Sequence, residues 1–212
     1  KVYPMVIAQD HKRIFDGDAG PNTGGMGAYT PVPQIPEEAV QQAISQVLKP
    51  TAKGMVAEKR PFQGILYAGL IQTATGPKVI EFNARFGDPE TQVVLARLES
   101  PLSEIISSLL AKEQPTIAWN ELASVGVVVA AEGYPNQYKT NLPLPEMSGE
   151  TIYYAGVTRS EQALVSAGGR IFLAEATAST LEEAHKKVYQ TLDNYSFPGM
   201  YYRKDIGVKG LI

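Results

Sequence analysis

The chain has 212 residues, 44% of them hydrophobic, with a formal charge of -3, a size that suits one large or two small globular domains with proper cores. Mild acidity with scattered Lys and Arg argues against nucleic acid or an anionic membrane as partner. The absence of Cys excludes disulfides, thiolate zinc sites and a cysteine nucleophile and fits a reducing cytosol, and two His (11 and 185) leave little scope for a histidine metal site.

No apolar run approaches the ~20 residues of a membrane helix, and nothing at the start resembles a signal peptide. The expectation is a soluble, cytoplasmic protein. The opening "KVYPMVIA" reads as a strand already under way, with Val2, Met5, Val6, Ile7 and Ala8 and no turn signal ahead of them. Such an edge wants a partner, so the sequence is expected to be a piece of something longer.

"DHKRIFDGDAGPNTGGMGAYTPVP" follows, rich in Gly, Pro, Asn and Asp and without apolar period. It is expected as a long ordered or functional loop, because structureless loops of that length are uncommon in compact domains. Pro36, with Glu37 and Glu38, opens a helix whose buried stripe is Ala39, Val40, Ala43, Ile44, Val47 and Leu48. Pro50 ends or kinks it, and residues 51–58 add a turn or two. "GILYAGLIQ", the turn "TATGP" and "KVIEF" predict a β-hairpin. Helices are expected at about 89–98 and 102–111, parted by Ser100-Pro101, and "KEQPTIAWN" reads as a linker.

From Glu121 onward "ASVGVVVAA", "TIYYAGV" and "GRIFLAEA" are short β-rich runs between Gly and Pro turns. Thr180-Leu-Glu-Glu183 is a capping box opening a helix that carries Leu181, Ala184, Val188 and Leu192. The fold class is therefore α+β, with a boundary near residue 113. Residues 1–113 mix helices and an antiparallel sheet, and residues 114–212 form a compact, mostly β part with one long helix.

In "KVIEFNARFGDPETQ", Lys78 to Gln92, strand alternation sends Ile80 and Phe82 to a core and Glu81 and Asn83 to the other face, with Arg85 joining them if the strand continues. A carboxylate and an amide oxygen two residues apart are a pair of hard ligands. Mg²⁺ accepts such a pair when waters and phosphate oxygens supply the rest, and a neighbouring Arg can hold those phosphates. An ordinary amphipathic strand with a polar solvent face has the same pattern. Asp88, Pro89, Glu90 and Thr91 then set acids at a helix start, where backbone N–H groups can grip an anion. Simple capping by Asp88 explains one acid but not all of them.

"GPNTGGMGAY" places Gly24, Gly25 and Gly27 around Asn22 and Thr23, so backbone can come close to a ligand. It has neither the Lys-Ser/Thr of a P-loop nor dinucleotide spacing, and a tight turn cluster describes it equally well. His11 and Lys12 in "QDHKR" suit a polyanion, or a solvated strand end.

Taken together, "QDHKR…DGDAGPNTGGMGAYTPVP", "GILYAGL…KVIEFNARFGDPETQ", "SVGVVVAAEGYP" and the terminal "YRKDIG" closely resemble the phosphoribosylamine–glycine ligases, ATP-grasp enzymes of purine biosynthesis. The resemblance runs the length of the chain. It implies the C-terminal half of an ATP-grasp fold followed by the ligase's small β-rich domain. It further implies Mg²⁺ or Mn²⁺ as cofactor, and ATP, glycine and 5-phosphoribosylamine as substrates joined through glycyl phosphate. Glu81 and Asn83 map onto the family's metal ligands, and Arg85 onto the group that neutralises the transferring phosphoryl. Asp88 to Thr91 and Asn22, Thr23, Gly24, Gly25 and Gly27 would line the glycine and phosphoribosylamine side.

Two departures accompany it. The further acidic ligand that many ATP-grasp enzymes carry on the strand matching "GILYAGLIQ" is absent. The family's N-terminal part, with its phosphate-binding lysine and adenine pocket, would precede Lys1, so the chain is expected to be a C-terminal fragment inactive alone. Arg203 and Asp205 of "YRKDIG" either reach the site or pair with each other at the surface, the second being preferred. The remaining alternatives are another ATP-grasp carboxylate–amine ligase and a non-catalytic nucleotide-binding module.

Overall fold

The computed structural model describes residues 1–147, 151–160 and 163–211. Two compact units divide the chain: Lys1–Met5 with Val32–Gly87, and Val6–Pro31 with Asp88–Ile212. This division differs from a single boundary at residue 113, and the strand pairing explains it. The chain enters the second unit with β1 (Gln9–Asp10), β2 (Arg13–Phe15), β3 (Ala19–Asn22) and β4 (Gly27–Thr30). β4 hydrogen-bonds antiparallel to the distant β7 (Ala123–Ala131), with Tyr29 opposite Val125. A stretch near the start is thereby stitched into the sheet of the later residues.

The first unit then holds α1 (Glu37–Ala43), a π-helical turn over Ile44–Leu48, α2 (Lys49–Ala57), β5 (Tyr67–Thr73) and β6 (Gly76–Asn83). Pro50 neither ends nor breaks the helical run. The wider turn just before it absorbs the hydrogen bond that its ring removes, and Lys49 N–H donates to the Ile44 carbonyl. β5 and β6 form the expected hairpin, with one irregularity. Gly69 pairs with Glu81 but Leu70 pairs with Val79, so Ile80 is the extra residue of a bulge. Ile80 is 66% exposed and Phe82 39% exposed; the expectation that both enter a core is not met among the described residues. Residues 1–8 join no sheet ladder, since a strand requires a paired neighbour and pairing begins at Gln9.

The chain returns to the second unit through α3 (Glu90–Leu95), α4 (Leu102–Leu110) and β7, followed by β8 (Thr151–Tyr154), β9 (Val157–Arg159), β10 (Leu164–Ser166), β11 (Arg170–Ala178), α5 (Leu181–Asp193) and β12 (Met200–Tyr201). The main sheet is antiparallel in the order β1-β4-β7-β11-β8, with β12 also pairing β7. Every residue of β7 is buried, which accounts for its nearly unbroken Val/Ala sequence. A side chain on Gly126 would strike Val93 of α3, whereas Val125 next to it faces Gly207 and His185 of α5. Successive strand residues point to opposite faces, so the two helices cover opposite sides of β7.

Thr180 caps α5, its hydroxyl accepting from Glu183 N–H at 3.2 Å. Leu181, Ala184, Val188 and Leu192 are its buried stripe. "KEQPTIAWN" is tied down rather than loose: Leu98 bridges Trp119, and Glu99 N–H donates to the Ala118 carbonyl. No helix of the described residues is long and apolar enough to cross a membrane.

Candidate active site

The chemistry-bearing residues fall into two groups, one in each unit. In the first unit the ladder is regular from Glu81 to Asn83, opposite Gly69 and Tyr67. Those two side chains therefore share a face, as strand geometry requires. Gly69 makes room for one of them, because a Cβ there would lie 3.1 Å from the Cγ of Glu81. The strand ends at Asn83, and Arg85 follows in a bend. Its guanidinium folds back, with Nη1 donating to the Phe86 carbonyl at 2.8 Å and Nη2 lying 3.5 Å from Asn83 Oδ1.

Glu81 and Arg85 are exposed and Asn83 half-exposed, so the carboxylate, amide oxygen and guanidinium stand together on an open surface. No group of three or more His, Cys, Asp or Glu among the described residues could hold a metal. One acid and one amide beside an arginine fit a cation that takes most of its ligands from water and phosphate. They do not fit a metal held by protein alone.

In the second unit the sequences "QDHKR", "NTGGMG" and "DPET" come together. Thr23 N–H and Oγ–H both donate to the Lys12 carbonyl, at 2.7 and 2.8 Å. Met26 N–H donates to the His11 carbonyl at 2.8 Å, and Gly25 N–H donates to Thr23 Oγ1 at 3.0 Å. Gly25 has φ +124, and a Cβ on it would lie 2.4 Å from Pro89 Cδ and 2.7 Å from Asp10 Oδ1. Only glycine fits that meeting of three segments. Gly27 is similarly constrained at φ +154, where a Cβ would meet the Gly126 carbonyl at 2.6 Å.

Sequence reasoning missed the residues that hold these loops. Arg170, on β11, donates from Nη1 to the Asp88 carbonyl at 2.8 Å and from Nη2 to Asp88 Oδ2 at 2.9 Å, and approaches the Gly25 carbonyl at 3.4 Å. Tyr134 accepts from Gly24 N–H through its hydroxyl at 3.0 Å. Asp88 also accepts from Gln92 Nε2 at 3.1 Å, so its carboxylate is committed to holding the loop. Neither Arg170 nor Tyr134 has a local sequence signal. Gly69 has one, an isolated glycine inside an apolar strand, which marks close approach.

His11 is 2% exposed, and both ring nitrogens lack a hydrogen-bond partner in the described structure. Burial, then the charges of Arg203 and Lys209, push its pKa down to about 4. A neutral, enclosed imidazole does not suit a polyanion. The Lys12 ammonium remains accessible and pairs with Asp10 Oδ2 at 2.5 Å. Glu90 is buried on α3, Pro89 is buried beside it, Thr91 is half-buried and Asn22 is exposed.

Arg203 and Asp205 do pair, but not at the surface. Arg203 is 0% exposed, with Nε and Nη2 each 2.7 Å from an Asp205 oxygen and Nη1 3.0 Å from both Asp18 Oδ1 and the Arg13 carbonyl. Lys209 joins through Asp18 Oδ2. Burial alone would raise the Asp205 pKa, yet the Arg203 hydrogen bonds hold it down at about 2. A buried guanidinium survives only with such full pairing.

The family model for the phosphoribosylglycinamide synthetase ATP-grasp (A) domain matches residues 1–91, and that for the C domain of the same synthetase matches residues 124–209. The chain is 54% identical to the phosphoribosylamine–glycine ligase of Halalkalibacterium halodurans, over 99% of this chain and 50% of that protein. It is also 54% identical to the enzyme of that name from Lactococcus lactis, over 100% of this chain and 52% of the relative. The crystal structure of phosphoribosylamine–glycine ligase from Thermotoga maritima superimposes with a TM-score of 0.88 at 33% identity, covering 95% of this chain and 51% of that one. The chain thus spans about half the length of the curated relatives it matches. On two domain models and similarity along nearly all of its own length, the chain belongs to the phosphoribosylglycinamide synthetase family.

Proposed function

We propose that this chain supplies the metal-binding strand and the acceptor-substrate loops of an ATP-dependent ligase that joins glycine to 5-phosphoribosylamine. The γ-phosphoryl of ATP passes to a glycine carboxylate oxygen, releasing ADP. The phosphoribosylamine nitrogen then attacks the acyl carbon of glycyl phosphate, phosphate leaves, the nitrogen loses a proton, and glycinamide ribonucleotide is formed. Both steps move a phosphoryl or acyl group between substrates, so no protein nucleophile is required.

Glu81 and Asn83 would hold a Mg²⁺ or Mn²⁺ ion, which would supply charge neutralisation for the phosphoryl transfer. Arg85 presents N–H donors beside them, fixed before the negative charge of the transfer develops. Asn22, Thr23, Gly24, Gly25 and Gly27, with Asp88 to Thr91, form the acceptor side. Lys12 serves the phosphate of phosphoribosylamine, and buried His11 supports the loop from behind. The phosphate-binding lysine and adenine pocket of ATP belong to the remaining half of the longer protein, its partner in the reaction.

The observation that carries this reading is the shared face of Glu81 and Asn83, with Arg85 folded back toward Asn83. The test is glycine- and phosphoribosylamine-dependent phosphate release in a polypeptide of the relatives' full length. Glu81→Ala should lower turnover by about a thousandfold with unchanged circular dichroism, the scale of losing metal-held transition-state charge. The 212-residue chain by itself should show none. Unchanged activity in Glu81→Ala would remove the metal-ligand role, and preference for bicarbonate or formate over glycine would reassign the substrate.

A further inference from the structure

Arg170 emerges on an unexpected side of its strand. Leu173 of β11 lies on the α3 face of the sheet beside Val93, because a Cβ on Gly126 would meet both side chains. Three residues earlier, a regular strand would aim its side chain at the opposite face. β11 is not regular there: Phe172 stands opposite Val129 and Arg170 opposite Ala130, so Ile171 is an extra residue. A bulge of this kind re-aims the neighbouring side chain. The Arg170 guanidinium thereby reaches Asp88, just ahead of α3.

From that position it joins two segments distant in sequence. Its fork donates to the carbonyl and the carboxylate of Asp88 and approaches the Gly25 carbonyl. Gly24 rests directly against it, since a Cβ there would stand 2.9 Å from Arg170 Cζ. Tyr134 secures the same glycine, its hydroxyl accepting from Gly24 N–H. Gly169 admits that ring, because a Cβ on it would strike the Tyr134 side chain. The Arg170 side chain is 21% exposed and that of Asp88 45%. An ion pair so open to water adds little stability, so these contacts fix placement more than strength. We propose that Arg170 and Tyr134 are positioning residues for ligation. Reaching in from the β-rich part of the chain, they set the glycine-rich segment 22–27 against the segment 88–91, and so align the two substrates other than ATP. Neither residue touches a reacting atom. The role rests on the ligase reading above.

The experiment is steady-state kinetics of the full-length polypeptide, with glycine, phosphoribosylamine and ATP varied in turn. Arg170→Lys keeps the charge but loses the fork. It should lower kcat/KM for glycine and for phosphoribosylamine about 10–100-fold, the scale of reactants held slightly out of place. The KM for ATP should stay within about twofold, and the melting temperature within about 4 °C. Tyr134→Phe keeps the ring and removes only the acceptor for Gly24, so the same two values should fall about 3–10-fold. A merely structural role would instead impair all three substrates together with thermal stability. That outcome, or wild-type kinetics for glycine and phosphoribosylamine in both variants, would overturn the proposal. Should Arg170→Lys fail to fold, Tyr134→Phe decides. A wild type without glycine-dependent phosphate release sinks the ligase reading and this role with it, whereas normal turnover with unshifted variants sinks the positioning role alone.

Discussion

β7 and β6 are the strands around which the two units are organised, and they are opposites. All of β7 is buried, with partners on both edges and helices on both faces. Among the described residues β6 pairs only with β5, is touched by α1, and leaves Val79, Ile80 and Phe82 exposed. A two-stranded hairpin is marginal on its own, so stability resides in the second unit, while the metal-binding chemistry proposed here sits on the thinner support. The contrast follows from the side chains. A strand wrapped on both faces can carry only apolar or internally paired groups, such as Ser124 bonded to Glu175 at 2.7 Å. A strand that, in the proposed role, offers Glu81 and Asn83 to a hydrated ion has to keep one face open.

The sharpest challenge to this contrast is Arg203→Met. Leaving Asp18 and Asp205 without their buried cation should cost about 3–5 kcal/mol in denaturant unfolding of the second unit; a cost below roughly 1 kcal/mol would mean that the cluster behaves as a surface ion pair. Next is a matched pair of identical substitutions. Ile171→Ala, in buried β11, should cost about 2–5 kcal/mol, whereas Ile80→Ala, on the exposed bulge, should stay within about 0.5 kcal/mol. Comparable losses would show that the hairpin is as firmly packed as the sheet.

Acid titration tests the second unit alone. His11 has a folded pKa lowered from 6.5 to about 4, so it favours the folded state fully above pH 6.5, and that contribution is lost as pH falls through about 4. Asp10, raised from 3.8 to about 6, acts oppositely: its stabilising contribution is complete below 3.8 and is lost as pH rises through about 6. Replacing His11 by Gln should therefore flatten the acid decline between pH 6.5 and 4 by on the order of 2–3 kcal/mol, once the pH-independent change is subtracted. The smallest effect is Thr180→Ala, which removes the α5 cap and should cost about 1 kcal/mol by thermal melting.

Much of the architecture could be read from local pattern. The β7 run is apolar at nearly every position because both faces are covered, and the α5 capping box states its own start. The polar alternation of Glu81 and Asn83 likewise follows from strand period, and the structure keeps it from Glu81 onward. Elsewhere the deciding forces were not local. "GAYT" belongs to a glycine-rich stretch and reads as loop, yet becomes buried β4 because β7 hydrogen-bonds to it from about 100 positions away. The bulge at Ile80 arises from register against β5, which composition does not encode. Asp10 and Pro89 are far apart in sequence; only the close approach at Gly25 brings their segments together. Arg203 was expected at the surface because Arg is seldom enclosed, and its enclosure depends on Asp18, 185 positions away.

That last separation has a consequence for biosynthesis. The guanidinium and its partners near Arg13 and Asp18 lie 190 and 185 residues apart. At ribosomal elongation rates, roughly 10–40 s pass between the appearance of one side and the other. During that interval the aspartates of the early hairpin have no buried cation to close upon, and the glycine-rich segment beside them cannot adopt its final set. A nascent chain stalled before residue 203 should therefore remain protease-sensitive at positions 13–25, and gain protection there only after the last basic residues have cleared the exit tunnel.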